Sequence, residues 1–417
     1  MTRATRLDNV GELVRSFAPG ERVYLPGAAG ECLPLMDALC TGNAPRLDIT
    51  ASFVPGINPV ALARYPKGTT FTSLFAHTGV PEAQATGRYQ HLPLSYSAFA
   101  KHLAEKASFD TCIVHVAPPG TDGNCSLGAA VEFTPIAAAR ARRKVAIINP
   151  RMPVLPGAES LALADFDIIV ECDAPLREYH AGAVSDEAQR IAVNVATFIE
   201  DGSVVQIGLG KAPDALLRIL TNRRRLRLHS GMISDGVMAL DAAGALDPDW
   251  THTSCVHVGS TAYYAWLHDR KQFAVRNCGQ THSVAVLSAL PNFVAVNSAL
   301  TVDLFGQANL ENLDGRMVSG VGGAPDFARG ASQSPGGISI IALPSTSSKD
   351  DIPRIVLKLD NPCSIPRFDI DVVVTEYGVA DLRECNVIER ARRLTMIAAP
   401  QHRAHLDESF HTIAKIL

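Results

Sequence analysis

Glycines crowd one segment of the chain. Residues 319–331 include Gly320, Gly322, Gly323 and Gly330, a density that suits neither the interior of a helix nor that of a strand. Because glycine lets backbone N–H groups approach a ligand closely, consecutive amides here could hold an anion, or the oxyanion that develops when a carbonyl is attacked. A tight turn explains the same composition and is favoured by composition alone. The interpretation of this segment therefore depends on the rest of the chain.

Other side chains with possible chemistry form weaker patterns. Four arginines between residues 223 and 227 follow a predicted helix, whose negative end favours cations; binding of a phosphate is the alternative. Nine cysteines are scattered without a C-x-x-C pair or a histidine at ligand spacing, which indicates free thiols. The histidines between residues 252 and 282 lack the i, i+4 spacing of a helical metal site. We therefore predict no bound metal.

Short apolar runs alternate with Ala- and Leu-rich stretches along the chain, which is typical of an α/β protein with largely parallel sheets. The predicted strands are Arg22–Leu25, Thr111–Val116, Lys144–Asn149, Ile168–Glu171, Val204–Ile207, Phe293–Val296, Ile338–Leu343 and Ile370–Thr375. The predicted helices are Pro135–Arg142, Glu187–Phe198, Ala212–Leu220, Val387–Ile397 and Arg403–Lys415. Several strands end in loops with Gly or Pro. Because ligands of open parallel sheets lie at the carboxyl ends of strands, we expect the site at these loops.

Length and composition narrow the class of protein. A chain of 417 residues predicts two large domains, and the polar segment 174–187 suggests a division into residues 1–185 and 186–417. A hydrophobic fraction of 47% excludes a disordered or fibrous protein. The net charge of −4 is too small to draw the chain as a whole to nucleic acid or to an anionic membrane. No segment reaches the ~18 apolar residues of a membrane span, and free thiols suit a reducing compartment, so we expect a cytoplasmic protein.

Five motifs give the glycine segment its context. In chain order they are Gly-Leu-Gly-Lys-Ala-Pro at 208–213, His-Ser-Gly-Met-Ile-Ser-Asp-Gly at 229–236, Val-Asn-Ser-Ala-Leu at 296–300 with Asp-Leu-Phe-Gly-Gln at 303–307, the glycine segment itself, and Thr-Glu-Tyr-Gly-Val-Ala-Asp-Leu at 375–382. Fainter motifs occur at 27–31 and 119–128. The series resembles the acetyl-CoA hydrolase/transferase family, which includes the 4-hydroxybutyrate CoA-transferases. The resemblance covers most of the chain and is dense after about residue 200.

The resemblance implies two α/β domains of the CoA-transferase type, with the acyl site between them. It implies a small carboxylate and its CoA thioester as substrates, a homodimer or homotetramer, and no metal or permanently bound cofactor. By position in the motifs, Gly322 and Gly323 would supply backbone amides to the thioester oxyanion, with Val321 beside them in the CoA-binding loop. Asn297 would contact the thioester or the pantetheine arm. The turn Gly208-Leu209-Gly210 would face the reacting carboxylate, and the arginine run could hold the 3′-phosphate of CoA.

One position departs from the family pattern. Between His229 and Met232 the family carries a Glu, and this chain has Gly231. A carboxylate can attack a thioester and carry first the acyl group and then CoA, whereas glycine can do neither. Another carboxylate could replace it: Glu132 or Glu31 lies in the loops that the family folds around its acyl pocket, and we favour Glu132. A salt bridge or a helix cap would also explain Glu132, and a structural family position would explain Glu31.

Two alternatives without a replacement carboxylate stay open. Water could fill the vacated space and be directed onto the thioester by His229, which is basic near neutral pH, or by Asp235; both also resemble family positions that persist beside the Glu. Ser230 is a poor candidate for a nucleophile activated by His229, because adjacent residues of a strand point to opposite faces. The chain could also bind CoA thioesters without turnover, although an oxyanion loop serves a transition state more than a ground state. We expect an acyl-CoA:carboxylate CoA-transferase, with acyl-CoA hydrolysis and non-catalytic binding as alternatives.

Overall fold

A computed structural model of the chain describes residues 4–77, 81–313, 315–347 and 351–415. The chain forms two compact units. The first unit contains the residues up to 180 together with 231–235 and 251–281, and the second contains 181–230, 236–250 and the residues from 282 onward. The predicted domains, residues 1–185 and 186–417, are contiguous segments, whereas each of these units combines separate segments of the chain. The predicted boundary at residue 185 stays a prediction. No helix in the described ranges combines the length and the apolar character needed to cross a membrane.

The first unit is built on an eight-stranded sheet in which all neighbouring strands are parallel. In sheet order the strands are Thr5–Leu7, Ile168–Glu171, Ala141–Ile148, Phe109–Val116, Glu21–Leu25, Leu47–Ala51, Thr70–Ser73 and Tyr89–His91. The helices are Val10–Arg15, Leu33–Leu39, Pro81–Ala85, Tyr96–Glu105, Thr134–Ala138, Thr261–Leu267 and Cys278–Thr281. Strand side chains such as Val23, Ile49 and Val145 pack with Leu13 and Leu35 of the helices into one core. This sheet places the ends of its central strands at one edge, where the loops gather.

Short strands complete the first unit. Asn124–Ser126 pairs with Ser160–Ala162, His252–Ser254 and Gly157–Ala158 flank Phe273–Val275, and Met232–Ile233 pairs with Val256–His257. A single bridge joins Ala130 to Val256, and another joins Glu132 to Asn277. Residues 129–132, 231–235 and 255–257 therefore lie side by side, although they are far apart in the sequence.

The second unit is built on a six-stranded sheet, parallel except for its last pair of strands. In sheet order the strands are Arg227–Leu228, Val204–Ile207, Phe293–Asn297, Ile338–Ala342, Val372–Thr375 and Gly378–Asp381. The helices are Asp186–Ala196, Lys211–Ile219, Gly236–Ala242, Val284–Leu287, Ala324–Gln333, Val387–Ile397 and Pro400–Ala414. Smaller strands are Thr301–Asp303, Ala308–Asn309 and Ile355–Val356, with a hairpin of Asn312–Leu313 and Arg316–Met317.

The predicted α/β class with largely parallel sheets is confirmed, and two details of the prediction are wrong. The helix predicted at Pro135–Arg142 ends early: the observed helix is Thr134–Ala138. It ends because the strand Ala141–Ile148 begins three residues later and pairs with Phe109–Val116. The glycine segment is not a loop throughout, since Ala324–Gln333 is a helix. Position 330 of this helix requires a glycine, because a Cβ there would overlap the side chain of Leu287. Close packing, not a turn, explains that glycine.

Candidate active site

Glu132 of the first unit occupies a strained position. It lies just before the helix Thr134–Ala138 with φ +43°, a left-handed value that costs a residue with a side chain on the order of 1–3 kcal/mol. Hydrogen bonds hold its backbone from both sides: its N–H donates to the carbonyl of Cys255 at 3.3 Å, and its carbonyl accepts the N–H of Cys278 at 2.8 Å. The surrounding structure therefore maintains strain at a residue with a reactive side chain, as functional sites often do.

The carboxyl group of Glu132 is buried and only half satisfied. Its residue is 1% exposed, Oε2 accepts a hydrogen bond from Ser52 Oγ at 2.8 Å, and Oε1 has no partner among the described residues. Burial raises the pKa of Glu132 to about 7, although hydrogen bonds from Ser52 and the Gly27 backbone lower it. A carboxyl group that titrates near neutral pH can serve as a nucleophile or as a general base.

Neither a salt bridge nor a helix cap accounts for Glu132. In the described part of the chain no ion pair involves its carboxylate. It does not cap a helix either, since Phe133 is the N-cap of Thr134–Ala138 and the cap has no side-chain hydrogen bond. The cost of burying this carboxyl group is therefore not offset by a cation.

The loop after the strand Glu21–Leu25 supports the Glu132 carboxyl group. The N–H of Gly27 donates to Ser52 Oγ at 2.9 Å, so one hydroxyl group links this loop to the carboxylate. A Cβ on Gly27 would overlap the backbone carbonyl of Ser52, which explains the glycine. The phenol oxygen of Tyr24 lies 3.4 Å from the same hydroxyl oxygen.

The Glu31 carboxylate is buried and is bonded to two neighbouring side chains. Its Oε2 accepts hydrogen bonds from Asn58 Nδ2 and Arg177 Nε, both at 2.7 Å, and it is 3% exposed. Burial raises the pKa of Glu31, although Arg177 and Asn58 lower it. Asn58 Oδ1 also accepts the N–H of Ala28 at 2.7 Å, where φ is +45°. The Glu31 carboxylate thus fixes the loop that carries Gly27.

Gly231 lies in the same unit as Glu132. Its carbonyl accepts the N–H groups of Cys255 and Val256, both at 3.1 Å, and the Cys255 thiol at 3.0 Å. Because Cys255 also accepts the N–H of Glu132, one residue is bonded to the backbones of both Gly231 and Glu132. The φ of Gly231 lies outside the left-handed region, so its backbone would accept a side chain. Hydrogen bonds to Cys255 therefore connect the backbone of Glu132 with that of Gly231, the position at which the motif resemblance predicts a Glu.

The glycine loop of the second unit ends at a helix N-terminus. Gly322 has φ +57°, and Gly323 is the N-cap of Ala324–Gln333. A Cβ on Gly323 would overlap the imidazole of His282, which lies 4.6 Å from the Phe327 ring between centroids. Amides at the start of a ten-residue helix suit a developing negative charge. Val321 is half-buried, and its carbonyl accepts the N–H of Ala324 at 3.3 Å.

His229 and His282 are neighbours in the second unit. Burial lowers the pKa of His282 to about 3, and the nearby His229 lowers it further. His229 follows the strand Arg227–Leu228, and its N–H donates to the carbonyl of Val205 at 3.1 Å. The adjacent Ser230 donates its hydroxyl to the carbonyl of Ile207 at 2.9 Å. His282 is therefore neutral at physiological pH.

Asp235 has a structural task. It belongs to the first unit, where its carboxylate accepts the N–H of Ser260 at 3.0 Å and also the Ser260 hydroxyl. These bonds fasten the segment 231–235 to the start of the helix Thr261–Leu267.

Gly208, Leu209, Gly210 and Asn297 line one cavity of about 300 Å³ in the second unit. It lies at the carboxyl ends of the strands Val204–Ile207, Phe293–Asn297 and Ile338–Ala342, where ligands of parallel sheets bind. Asn297 is 8% exposed, and its Nδ2 has no partner in the ranges that the structure describes. The structure thus brings together four of the residues that the motifs assigned to substrate binding; Val321, Gly322 and Gly323 do not line this cavity.

The arginine run is structural. Arg223 donates to the carbonyls of Ile199 and Ala196 at 2.8 and 3.2 Å, and Arg225 and Arg227 pair with Asp247 at 3.0 and 2.8 Å. The sequence favoured an interaction of these arginines with the carboxyl end of the helix that precedes them. Arg223 does contact a helix end, but it is the end of Asp186–Ala196. These contacts give no support to a phosphate site.

Three features beside the candidate residues were not predicted from the sequence. Ser52 directly follows the strand Leu47–Ala51, whose alternating Leu47, Ile49 and Ala51 are buried; predicting that strand would have revealed it. His282 carries no local signal. The thiols of Cys255 and Cys278 lie within 4.8 Å of each other beside Glu132, a proximity that their spacing does not indicate.

Known proteins match the chain over nearly its full length. The family profile described as the acetyl-CoA hydrolase/transferase N-terminal domain matches residues 4–176, and the profile of the C-terminal domain matches residues 259–410. The 4-hydroxybutyrate coenzyme A transferase of Clostridium kluyveri is 34% identical over 400 residues, 93% of each chain.

Solved structures agree with this assignment. The crystal structure of RipA from Yersinia pestis matches with a TM-score of 0.89 and 26% identity, covering 98% of both chains. The 4-hydroxybutyrate CoA-transferase from Porphyromonas gingivalis matches with a TM-score of 0.79 and 28% identity, covering 98% of this chain and 97% of that one. The chain therefore belongs to the acetyl-CoA hydrolase/transferase family.

Proposed function

We propose that the chain is an acyl-CoA:carboxylate CoA-transferase in which Glu132 supplies the carboxylate that the family carries at the position of Gly231. One observation supports this most: Glu132 combines a strained backbone with a buried carboxyl group whose Oε1 has no partner among the described residues, and its backbone is linked through Cys255 to that of Gly231. The chain's membership of the family gives the reaction class, and this carboxyl group gives the attacking atom.

The reaction proceeds by two exchanges at Glu132. The carboxylate attacks the thioester carbonyl carbon, the C–S bond breaks, and CoA leaves as a thiolate while the acyl group stays on Glu132 as an anhydride. The thiolate then attacks the Glu132 carbonyl carbon and releases the acyl group as a free carboxylate. A second carboxylate reverses these steps, so CoA passes to it and Glu132 is regenerated. We assign the oxyanion contacts to the amides of Gly322 and Gly323, and the thioester contact to Asn297.

The protonation of Glu132 sets a pH dependence for this reaction. Because burial raises its pKa to about 7, the carboxylate forms as the pH rises through neutrality, and turnover should rise over the same range. Its weak solvation also makes the ionised oxygen more reactive than a hydrated carboxylate.

The test is a donor and acceptor assay on the whole chain. Acetyl-, butyryl- or succinyl-CoA is incubated with and without a second carboxylate, and thioester loss that requires the acceptor supports transfer. Glu132→Gln should abolish transfer, and Glu105→Gln, a change at an exposed residue, should leave it intact. Mass spectrometry of the trapped enzyme should place the CoA adduct on the peptide containing Glu132. An adduct at another residue, or full activity in Glu132→Gln, would refute the assignment.

Acyl-CoA hydrolysis is the second candidate, and the absence of a side chain at Gly231 favours it. Water in that space could attack the thioester with Glu132 or His229 as the base, releasing the free acid and CoA. Thioester loss without an acceptor would support this reaction. CoA binding without turnover would instead indicate a non-catalytic binder.

We further propose that the protein works in the cytoplasm as a homodimer or homotetramer, uses the CoA thioester as a substrate, and holds no permanent cofactor or metal. Sedimentation analysis of the purified chain, together with metal analysis and an absorption spectrum, tests these statements.

A further inference from the structure

The cavity of the second unit has an apolar interior whose ligand follows from its walls. Its volume is about 300 Å³. The apolar walls come from the helices Asp186–Ala196 and Lys211–Ile219 and from the strand Ile338–Ala342 and the residue after it, through Ala188, Ile191, Val195, Leu216 and Leu343. All five side chains are buried. Such walls favour a hydrocarbon ligand, because it loses no hydrogen bonds with water on entering.

A single amide group marks the polar end of the cavity. Asn297 is at least nine-tenths buried, and its Nδ2 has no partner within the described ranges. An unsatisfied buried N–H donor is costly, and a ligand oxygen would relieve that cost. The turn Gly208-Leu209-Gly210 lines the same cavity, and a Cβ at Gly208 would meet no atom within 4 Å, so the backbone there borders open space.

Charge at the walls disfavours a second carboxylate. Glu187 lines the cavity and is half-buried, whereas Lys211 is exposed and stays hydrated. A dicarboxylate would bring its distal charge against apolar walls and near the Glu187 carboxylate, and both contacts are unfavourable.

We propose that this cavity binds the aliphatic chain of a monocarboxylic acyl group, with the acyl oxygen at the Asn297 amide. The proposal rests on the CoA-thioester function proposed above and names its substrate class. Water occupies about 30 Å³ in the liquid, so the cavity holds roughly ten groups of that size, and a chain of roughly four to eight carbons fills it. Affinity should rise about fourfold per added methylene until the cavity is full.

Inert ligands test the cavity apart from the chemistry. We would measure equilibrium binding of CoA and of S-alkyl-CoA thioethers from ethyl to decyl, which cannot be turned over. Ile191→Ala enlarges the cavity and should move the preferred chain length about two carbons longer. Ala188→Phe fills it and should move the preference shorter. Val193→Ala is the matched control, because Val193 is on the same helix but is 50% exposed, and it should change nothing.

The outcomes separate this proposal from the proposed function. Opposite shifts in the two cavity variants, with Val193→Ala unchanged, support the aliphatic site even if no thioester is consumed. Affinity that is independent of chain length refutes it, even if transfer occurs. If Ala188→Phe weakens CoA itself as much as octyl-CoA, the pantetheine arm occupies the cavity and the proposal is wrong. Should Ala188→Phe fail to fold, Ile191→Ala alone decides the matter. Butyryl-CoA should also be preferred to succinyl-CoA by roughly tenfold or more.

Discussion

The raised pKa of Glu132 makes a quantitative prediction about stability. The folded chain keeps the proton on this carboxyl group up to about pH 7, whereas the usual value is 4.5. Below about pH 4.5 both states are protonated and the group has no effect on the free energy of unfolding. Between these values the unfolded chain releases the proton and the folded chain keeps it, so stability falls as the pH rises. The loss is complete above about pH 7.

The magnitude follows from the size of the pKa change. A rise from 4.5 to about 7 is about 2.5 pH units, and at 1.36 kcal/mol per unit this is about 3 kcal/mol of lost stability. Glu132→Gln has nearly the same shape and carries no charge at any pH. The variant should therefore gain about 3 kcal/mol relative to the natural chain between pH 4.5 and pH 8, in addition to any constant difference.

Urea unfolding at several pH values between 4.5 and 8 measures this difference. Glu105→Gln is the matched control, since the residue is exposed in the helix Tyr96–Glu105, and its difference from the natural chain should stay flat. If the Glu132→Gln difference is also flat, Glu132 titrates normally and the argument for a buried reactive carboxyl group fails.

Three further substitutions probe the site. Gly231→Glu should create or increase transferase activity, since its backbone tolerates a side chain; a folded variant that gains nothing would show that the pocket has diverged from the family mechanism. Ser52→Ala removes a hydrogen bond that lowers the pKa of Glu132, so the rise of activity with pH should move to higher pH; an unchanged pH profile would contradict this link. Gly323→Ala should cost about 1–3 kcal/mol because its Cβ would overlap the imidazole beneath it, whereas Gly42→Ala, with no atom within 4 Å of its Cβ, should cost little; equal thermal melts of the two would contradict the contact.

Local sequence predicted the strands that are buried on both faces. Ile168–Glu171 and Val204–Ile207 have the predicted bounds, because continuous β-branched runs leave few alternatives. Ala141 and Arg142 favour a helix by propensity, yet they lie in the strand Ala141–Ile148 because it pairs with Phe109–Val116 over its whole length. Pairing with a distant strand overrides the local helix propensity in such cases, and the local sequence pattern does not show which strands will pair.

The site was predictable only in its residue types. Motifs located Gly322, Gly323 and Asn297 because short contiguous segments carry them. The environment of Glu132 could not be predicted in the same way, since its strain and burial depend on Cys255 and Cys278, more than a hundred residues further along the chain. The partner that lowers its pKa, Ser52, lies 80 residues before it.

The first unit is assembled from three separate segments of the chain, which has a consequence for biosynthesis. Its last segment is residues 251–281, and the backbone of Glu132 is held by Cys255 and Cys278 from that segment. At ribosomal speeds of about 5–20 residues per second, the interval between synthesis of residue 185 and of residue 281 is roughly 5–20 s. During that time Glu132 has already been synthesised, but Cys255 and Cys278, which hold its backbone, have not both been added to the chain. The nascent chain therefore cannot form these backbone bonds until about two thirds of it has been translated, and a fragment that ends near residue 185 should lack the strained geometry of Glu132 altogether.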